Sequence, residues 1–487
     1  MPEQQNILWI CTDQQRWDTL GCYGNEFVNT PNLDKLSAEG AHFENAFCQS
    51  PVCTPSRASF LTGRYPRTTR CRQNGQEIPE DELLVTRILA DAGYYCGLAG
   101  KLHLSPCNPS VCPIEERRIE DGYAEFNWSH HSGPGWETNA YHKWLKSRGK
   151  SYTEEPHPDS SHVTYGPEVE DHQTTWCAEM AIDFINRRAG EESPWLYSIN
   201  FFDPHHPFDA PKSLLERYDS VLEQIPLPDY TPGELDNKPT WQKREHEEAY
   251  GGYPFSEMSE NDHRLIRASC FAMCDLIDLQ VGRMLDAIRT SGQLENTLVI
   301  FMSDHGEMLG DHGIYLKGAH FYEPAVHVPL ILSQPGTIQP CRISDLVELT
   351  DLAPTLIDAA ALSRSPQMQG KSLLPLLTDL EPTQPHRESV YSEYYNAMPA
   401  DWSKWHHGQK ETKSGDFATM LRTERYKLVV PHGEENGEMY DLLNDPSEKN
   451  NLWNHMGAME AQMNLLKLLT DRMAFTVDPT PERKAIW

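Results

Sequence analysis

Short apolar segments of strand type alternate with helix-like segments along most of this chain, and this alternation constrains the fold more than any other feature. Such a pattern is typical of α/β proteins, in which helices pack on the faces of a sheet. The strands are predicted at Asn6–Cys11, Tyr94–Leu98, Trp195–Phe202, Thr297–Met302 and Val328–Ser333. The helices are predicted at Leu33–Glu39, Glu82–Ala92, Thr174–Arg188, Asn261–Thr290 and Val347–Ala361.

The pattern changes in the last fifth of the chain. Short strand-like segments at Met420–Leu421, Tyr426–Val430 and Met439–Asp441 precede an amphipathic helical segment at Ala458–Met473. We therefore predict a large α/β domain over residues 1–380 and a small α+β domain over residues 381–487. The segment 225–260 is rich in Pro, Glu and Gly and is predicted to be a long surface excursion.

The charge of the chain limits its partners. Acidic residues outnumber basic ones by 72 to 42, which gives a formal net charge of −30. So acidic a chain is unsuited to general binding of nucleic acid or membrane surfaces, and an anionic substrate therefore needs a local basic pocket. No segment approaches the roughly 20 apolar residues of a membrane helix. The opening segment MPEQQNILWICTDQQ has no basic region, which predicts no signal peptide and a cytoplasmic location.

Acidic, imidazole and amine side chains directly follow four of the predicted strands. In open α/β sheets the ligand site lies beyond the carboxyl ends of the strands, so these side chains predict an active site at that edge. The residues are Asp13, Lys101, His103, His205, Asp304 and His305.

Three of these residues favour a divalent cation. The carboxylates of Asp13 and Asp304 suit Ca²⁺, Mg²⁺ or Mn²⁺, and the His305 imidazole shifts the preference towards Mn²⁺ or another transition metal. Each of these signals has a second interpretation when it is taken alone. Asp13 could instead cap the following turn, and Asp304-His305 could instead belong to a polar loop without a metal. A second Asp-His-Gly occurs at 311–313, and the first copy is preferred because it directly follows a strand.

The segment Cys53-Thr-Pro-Ser-Arg57, followed by Leu61-Thr-Gly-Arg64, resembles the signature of the type I sulfatases, in which the cysteine is converted to formylglycine. Further segments match that family in order along nearly the whole chain. They are Asp13-Gln14, 30–34, 100–103, 204–208, 303–306, Lys317, 425–428, 438–442 and 444–446. The family belongs to the alkaline phosphatase superfamily. The resemblance implies a large α/β domain with a central mixed sheet, and a small C-terminal domain with a short antiparallel sheet.

The resemblance implies that Cys53 is the nucleophile after conversion to formylglycine by a maturation enzyme. A thiol suits this reaction poorly, because its sulfated form is hard to hydrolyse. The hydrated aldehyde has two hydroxyl groups: one attacks, and deprotonation of the other releases sulfate. The resemblance also implies one divalent cation, Ca²⁺ or Mn²⁺. Its expected ligands are Asp13, Gln14, the modified Cys53, Asp304 and His305, with a hydrogen bond to substrate as the alternative for Gln14.

Three basic residues have implied roles at the nucleophile. Arg57 lies four residues after Cys53, so the two share a face if the signature opens a helix. The resemblance implies that Arg57 orients the hydrated aldehyde. Lys101 and His103 point the same way in an extended segment. The resemblance implies that Lys101 stabilises charge there and that His103 accepts the proton whose loss releases sulfate.

Two further assignments concern the substrate. The resemblance implies that His205 is the general acid near the leaving oxygen, with Lys317 paired to it. His206 is the alternative, and His205 is preferred because it comes first in the P-H-x-P-F pattern. Related hydrolases can place a substrate-contacting asparagine at the position of Asn74, so the resemblance implies a substrate contact here. The alternative interpretation is that Asn74 is a turn residue before Gly75.

One departure bears on the substrate. Many sulfatases have two adjacent aspartates after the first strand, whereas Gln14 follows Asp13 here. This Asp-Gln pair is similar to the choline sulfatases and phosphonate monoester hydrolases. We therefore predict a sulfatase acting on a small-molecule or oligosaccharide sulfate ester. A phosphonate monoester or phosphodiester hydrolase with the same machinery is the alternative, and a catalytically inactive binding protein is disfavoured by the retained motifs. A homo-oligomer is compatible with the sequence.

Two remaining signals have two interpretations each. Cys107 and Cys112 either pair or remain thiols, and a reducing cytosol favours thiols. An aromatic and imidazole cluster near residue 405 either lines a substrate pocket or packs internally, with packing favoured. Its members are Trp402, Trp405, His406 and His407.

Overall fold

The protein is described by a computed structural model over residues 5–133, 135–248, 252–378, 384–396, 417–480 and 485. The cluster of Trp402, Trp405, His406 and His407 lies outside these residues. The strands are β1 (Asn6–Thr12), β2 (Ala41–Phe47), β3 (Tyr95–Gly100), β4 (Tyr123–Trp128), β5 (Glu155–Pro156), β6 (Thr164–Tyr165), β7 (Trp195–Asn200), β8 (Thr297–Ser303), β9 (His327–Val328), β10 (Leu330–Ser333), β11 (Cys341–Glu348), β12 (Ser389–Tyr395), β13 (Phe417–Thr423), β14 (Tyr426–Pro431) and β15 (Glu438–Asp441).

The helices lie between these strands, as the alternating pattern predicts. They are α1 (Pro31–Glu39), α2 (Cys53–Thr62), α3 (Pro66–Thr69), α4 (Val85–Asp91), α5 (Ala140–Ser147), α6 (Gln173–Arg188), α7 (Lys212–Leu215), α8 (Thr240–Glu248), α9 (Glu260–Thr290), α10 (Glu323–Val326), α11 (Leu352–Ala359), α12 (Leu374–Thr378) and α13 (Met459–Phe475). The longest, α9, begins at a capping box in which Ser259 and Asp262 bond each other's backbone, so its start is set locally.

A mixed central sheet forms the core, in the order β11-β2-β10-β8-β1-β7-β3-β4, with β9 paired to β2. The strands β8, β1, β7, β3 and β4 run parallel, whereas β10 is antiparallel to both of its neighbours. Every residue of β1 is buried, which is typical of a parallel strand covered on both faces. Alternate residues of β1 enter opposite cores: Ile7 and Trp9 on one face, Leu8 and Ile10 on the other. The predicted fold class is confirmed.

Three predicted segments need correction. Val347 and Glu348, predicted to begin a helix, instead end β11, because they pair with β2, and the helix begins only at Leu352. The helix predicted from Glu82 begins at Val85, after an extended Leu84. The segment 225–260 is only partly a surface excursion, because α8 buries Trp241 and Gln242. The strands β2 and β4 escaped prediction because polar residues interrupt their apolar pattern.

The C-terminal residues form a second sheet, antiparallel throughout, in the order β12-β13-β14-β15. Helix α13 packs on it through Leu465 and Leu469, which join Leu421 and Leu428 in one apolar cluster. The boundary at residues 380 and 381 remains a prediction, since both residues lie outside the described ranges. Among the helices described, none is long and apolar enough to cross a membrane.

Candidate active site

The polar residues predicted at strand ends meet around the Cys53 thiol. Cys53 is the first residue of α2 and is fully buried. Its Sγ lies 3.6 Å from Asp13 Oδ1, 3.1 Å from His305 Nε2 and 3.1 Å from Lys317 Nζ. Asp13 and His305 follow the adjacent parallel strands β1 and β8, so the sheet brings together residues almost 300 positions apart. The carboxyl edge of the sheet therefore carries the candidate active site.

Four donors at this edge fit a divalent cation. One ligand atom from each of Asp13, Cys53, Asp304 and His305 lies within 4.8 Å of the other three, and all four residues are buried. Two buried carboxylates with one imidazole are a donor set suited to Ca²⁺ or Mn²⁺.

Arg57 lies between the two carboxylates. Its Nε donates to Asp304 Oδ2 at 2.8 Å, its Nη2 to Asp13 Oδ2 at 3.1 Å, and its Nη1 to the Lys101 carbonyl oxygen at 2.7 Å. The helical spacing expected from the sequence is present, since α2 spans both Cys53 and Arg57. In the structure, the guanidinium contacts the candidate metal ligands, where it fixes their orientation.

The electrostatics at Cys53 favour its anionic form. Burial opposes ionisation, but the charges of Lys101, Lys317 and His305 outweigh it and hold the pKa of the Cys53 thiol well below its ordinary value. Burial and Cys53 likewise raise the pKa of Asp13, yet Lys101, His205 and Arg57 together bring it below its ordinary range. Lys101 Nζ lies 2.5 Å from Asp13 Oδ2. The site is thus a local cationic pocket within an acidic chain.

Gln14 has partners that the sequence did not predict. Its backbone is left-handed, with φ 63°, and its N–H donates to Asp304 Oδ1 at 3.0 Å. Its side-chain amide N–H donates to Glu307 Oε2, while its Oε1 accepts from Lys317 Nζ at 2.6 Å. Glu307 is fully buried and lies two residues after His305 in the Ser-Asp-His-Gly-Glu segment, which is the sequence signal that could have identified it.

His205 and Lys317 are in contact, as the resemblance implied. Lys317 Nζ lies 2.7 Å from His205 Nε2, and His205 Nδ1 faces the His206 carbonyl oxygen. Burial, reinforced by the Lys317 charge, lowers the pKa of His205 to about 4. His206 stacks on His205 with ring centroids 4.1 Å apart. The ring of His205 is therefore neutral near pH 7 and hydrogen-bonded on both sides.

His103 reaches the site by a different route from the one expected. The segment is not regularly extended, because His103 has a left-handed φ of 57°. The buried Glu116 holds this turn by accepting the N–H groups of His103 and Leu104, at 2.7 and 2.8 Å. The ring nevertheless interacts with the Cys53 thiol, and burial and the Lys101 charge lower the pKa of His103 to about 4. Glu116 carries no local motif that would have revealed this role.

Asn74 is exposed, and its side-chain oxygen binds the backbone of α2. Its Oδ1 accepts the Thr54 N–H at 2.9 Å, which satisfies a free donor in the first turn of α2. The left-handed Gly75 follows it, as in the predicted turn. Asn74 thus lies beside the first turn of α2, and its contact here is a helix cap.

Replacing Gln14 with aspartate is expected to destabilise the protein, because a second carboxylate would then face the buried Glu307. Like charges in a buried site repel each other. The double variant Gln14→Asp/Glu307→Gln reverses the amide–carboxylate pair and should recover most of the lost stability. Thermal unfolding of the metal-free wild type, both single variants and the double variant measures the coupling, expected at about 0.5–3 kcal/mol. Strictly additive effects would contradict the contact.

Comparisons with known proteins agree with this geometry. The family model described as Sulfatase matches residues 5–362, and the model of the N-sulphoglucosamine sulphohydrolase C-terminal region matches residues 310–474. An arylsulfatase of Clostridium perfringens is 29% identical, over 92% of this chain and 90% of that protein. A choline-sulfatase of Rhizobium meliloti is 30% identical, over 92% of this chain and 82% of that protein.

A solved structure shares the fold. The phosphonate monoester hydrolase of Silicibacter pomeroyi superposes with a TM-score of 0.84 at 24% identity, over 99% of this chain and 98% of that chain. This likeness covers nearly the whole of both chains and shows that they share one fold. With the match of the family model over most of its length, the chain belongs to the sulfatase family of sulfuric ester hydrolases.

Proposed function

We propose that this protein hydrolyses the sulfate ester of a small molecule or an oligosaccharide, with Cys53, converted to formylglycine, as its nucleophile. The observation that carries the proposal is the surroundings of Cys53. Its Sγ is 3.1 Å from both Lys317 Nζ and His305 Nε2, beside the carboxylates of Asp13 and Asp304. The site thus combines a buried nucleophile, cationic side chains and metal-type donors within a few ångströms.

The cationic side chains suit a doubly anionic transition state. Sulfate transfer places negative charge on the sulfuryl oxygens and on the leaving oxygen, and preorganised cations stabilise this charge most in a buried site. Lys101 and Lys317 approach Cys53 from different elements, and the Arg57 guanidinium holds the two carboxylates in place. Because the whole chain is acidic, this pocket supplies the local positive charge that an anionic substrate requires.

Asp13, Asp304, His305 and position 53 would hold the divalent cation, Ca²⁺ or Mn²⁺, with Gln14 as a further proposed ligand. When bound, such a cation polarises a substrate oxygen and lowers the pKa of the attacking hydroxyl. His103 is proposed to accept the proton whose loss releases sulfate. Its lowered pKa keeps the ring neutral, and so able to accept a proton, near pH 7.

The Lys317–His205 pair is proposed to protonate the leaving alcohol. The neutral His205 ring satisfies both neighbours when its proton is on Nδ1, facing the His206 carbonyl oxygen, and its Nε2 accepts from Lys317. One transferable proton is therefore shared along the Lys317 Nζ–His205 Nε2 contact. This arrangement supplies an acid near neutral pH although the imidazole itself is uncharged.

His205→Ala and Lys317→Ala are expected to slow hydrolysis of an alkyl sulfate by about 10²–10⁴-fold. The same variants should affect nitrophenyl sulfate far less, because nitrophenolate leaves without a proton. The measurement is kcat/KM for both esters, with His206→Ala as the matched control. Equal losses of kcat/KM on both esters would contradict the general-acid role. If only His206→Ala slowed the alkyl sulfate more than nitrophenyl sulfate, the general acid would be His206 instead.

The alternative is a phosphonate monoester or phosphodiester hydrolase with the same machinery. Gln14 in place of a second aspartate favours it, since the site then carries one negative charge fewer. Initial rates on matched nitrophenyl sulfate, phosphonate monoester and phosphodiester, with Ca²⁺ or Mn²⁺ and Cys53→Ala as control, separate the two. Dominance of the sulfate supports the sulfatase proposal, and dominance of either phosphorus ester overturns it.

The substrate's size follows from the predicted location. If the protein acts in the cytoplasm, a small sulfate ester or an imported sulfated oligosaccharide reaches it, whereas a large extracellular polysaccharide does not. A formylglycine-generating enzyme is the partner that conversion of Cys53 requires. Detection of the native protein outside the cytoplasm would contradict this part of the proposal.

A further inference from the structure

A second group of metal-type donors lies next to the candidate active site and is separate from the Asp13–His305 group. One ligand atom from each of His103, Cys107 and His130 lies within 4.8 Å of the other two. His103 follows β3, Cys107 lies in the loop beyond it, and His130 follows the neighbouring parallel strand β4. The His103 and His130 rings meet edge to face, with centroids 4.6 Å apart.

The nitrogens of this group are buried without partners. Nδ1 of His103 and both ring nitrogens of His130 have no hydrogen-bond partner among the described residues. The His103 side chain is only 5% exposed. Buried polar groups in folded proteins are normally paired, so these ring nitrogens are available to bind a ligand.

We propose that His103, Cys107 and His130 form a binding site for Zn²⁺ or a similar soft divalent metal, distinct from the catalytic cation site. Two imidazoles and one thiolate are the donor types that select such metals over Ca²⁺ or Mg²⁺. Bonds of about 2.0–2.3 Å to nitrogen and sulfur require the three donors to move slightly inward. Three protein ligands leave a fourth position open, so the bound metal is exchangeable.

Charge and proton both balance at this site. Cys107 Sγ donates to Glu116 Oε2 at 3.5 Å, so the thiol proton passes to this carboxylate when the sulfur–metal bond forms. Glu116 then releases this proton to solvent, so that the Cys107 thiolate and the Glu116 carboxylate together offset the two positive charges of the metal. Cys107 and Cys112 are both free thiols in the structure, so the sulfur is available.

Occupation of this site is inhibitory, because it removes the imidazole proposed to accept the catalytic proton. A metal on His103 prevents protonation of the coordinated nitrogen and fixes the ring. This consequence rests on the proposed function, whereas metal binding itself does not. The site therefore makes the enzyme's activity responsive to soft metals while the catalytic cation remains bound.

Binding is tested with Co²⁺, whose bond to a thiolate gives a charge-transfer absorption. The Cys53→Ala protein is used, with excess Ca²⁺ or Mn²⁺ and a phosphine reductant, so that Cys53 contributes no signal. We expect one equivalent of Co²⁺ to give the band and Zn²⁺ to displace it. Adding Cys107→Ser should abolish the band, whereas adding Cys341→Ser, at the opposite edge of the sheet, should not. Absence of the band, or its persistence with Cys107→Ser, overturns the site.

His130→Asn provides a second variant that leaves the cysteine intact, and it should weaken Co²⁺ binding at least tenfold. Unaltered binding in this variant overturns the ligand set. Circular dichroism establishes that each variant is folded.

Inhibition of sulfate ester hydrolysis by Zn²⁺ is then measured on two enzymes, one with Cys107 intact and one with Cys107→Ser. Both retain Cys53 in its formylglycine form. Zn²⁺ should inhibit the former reversibly, and Cys107→Ser should raise the inhibitory concentration at least tenfold. Equal inhibition of both overturns the inhibitory role and indicates displacement of the catalytic cation. Cobalt binding in a protein without sulfate ester hydrolysis supports the metal site while contradicting the proposed function.

Discussion

Cys53→Ala is expected to reduce hydrolysis of every sulfate ester at least about a thousandfold, because it removes the group that forms the covalent bond. The lysines and the other proposed metal ligands remain in place in this variant, so substrate binding should persist. The thiol is fully buried, but the change removes only one sulfur atom beside several polar groups. The fold should therefore be retained. Steady-state rates on nitrophenyl sulfate, with and without added Ca²⁺ or Mn²⁺, measure the effect.

Cys71→Ala is the matched control, since Cys71 is equally buried but belongs to an apolar cluster. Its activity should stay within a few-fold of the wild type. Mass measurement of the peptide containing residue 53 shows whether formylglycine was formed in the wild-type sample. Retention of more than a tenth of the converted wild-type rate in Cys53→Ala would contradict the assignment of the nucleophile.

Arg57→Ala is expected to give the largest loss of stability at the site, about 3–5 kcal/mol in the absence of metal. The guanidinium is fully buried between Asp13 and Asp304. Its removal leaves Asp304 without its arginine partner and leaves Asp13 paired with Lys101 alone. A divalent cation supplies replacement positive charge. Thermal unfolding should therefore show a large drop for the metal-free variant and a greater recovery on adding Ca²⁺ or Mn²⁺ than in the wild type.

Arg64→Ala is the control for this experiment. Arg64 is also buried and paired, to Glu82 at 3.2 Å and to Asp478 at 2.7 Å, but these acids are not metal-type donors in the described site. Its destabilisation should be independent of added metal. If added metal restores the stability of Arg57→Ala no more than that of Arg64→Ala, the Arg57 guanidinium does not organise the cation ligands.

Local patterns in the sequence were sufficient for several conclusions. Continuous apolar runs predicted the parallel strands β1 and β8, because such strands are buried on both faces. The rule that ligands bind beyond the carboxyl ends of strands then brought Asp13 and His305 to one site. The signature around Cys53 indicated the nucleophile, and the family match confirmed the class of enzyme.

Other elements escaped sequence reasoning because their identity depends on pairing. Polar residues interrupt β2 and β4. The end of β11, Val347–Glu348, was predicted as the start of a helix, since its strand state comes from its pairing with β2. An extended segment was expected at His103, but Glu116, thirteen residues away, holds a left-handed turn there.

Sequence alone thus determined the fold class and predicted the nucleophile and most side chains that lie around it, because each rests on short-range patterns or on a signature. The tertiary structure alone decided what those side chains touch: Arg57 on two carboxylates, Gln14 on Glu307, and His130 beside His103. The physical reason is that these contacts join residues on different strands and loops. Their distances and charges exist only after the sheet has assembled, and no spacing along the chain encodes them.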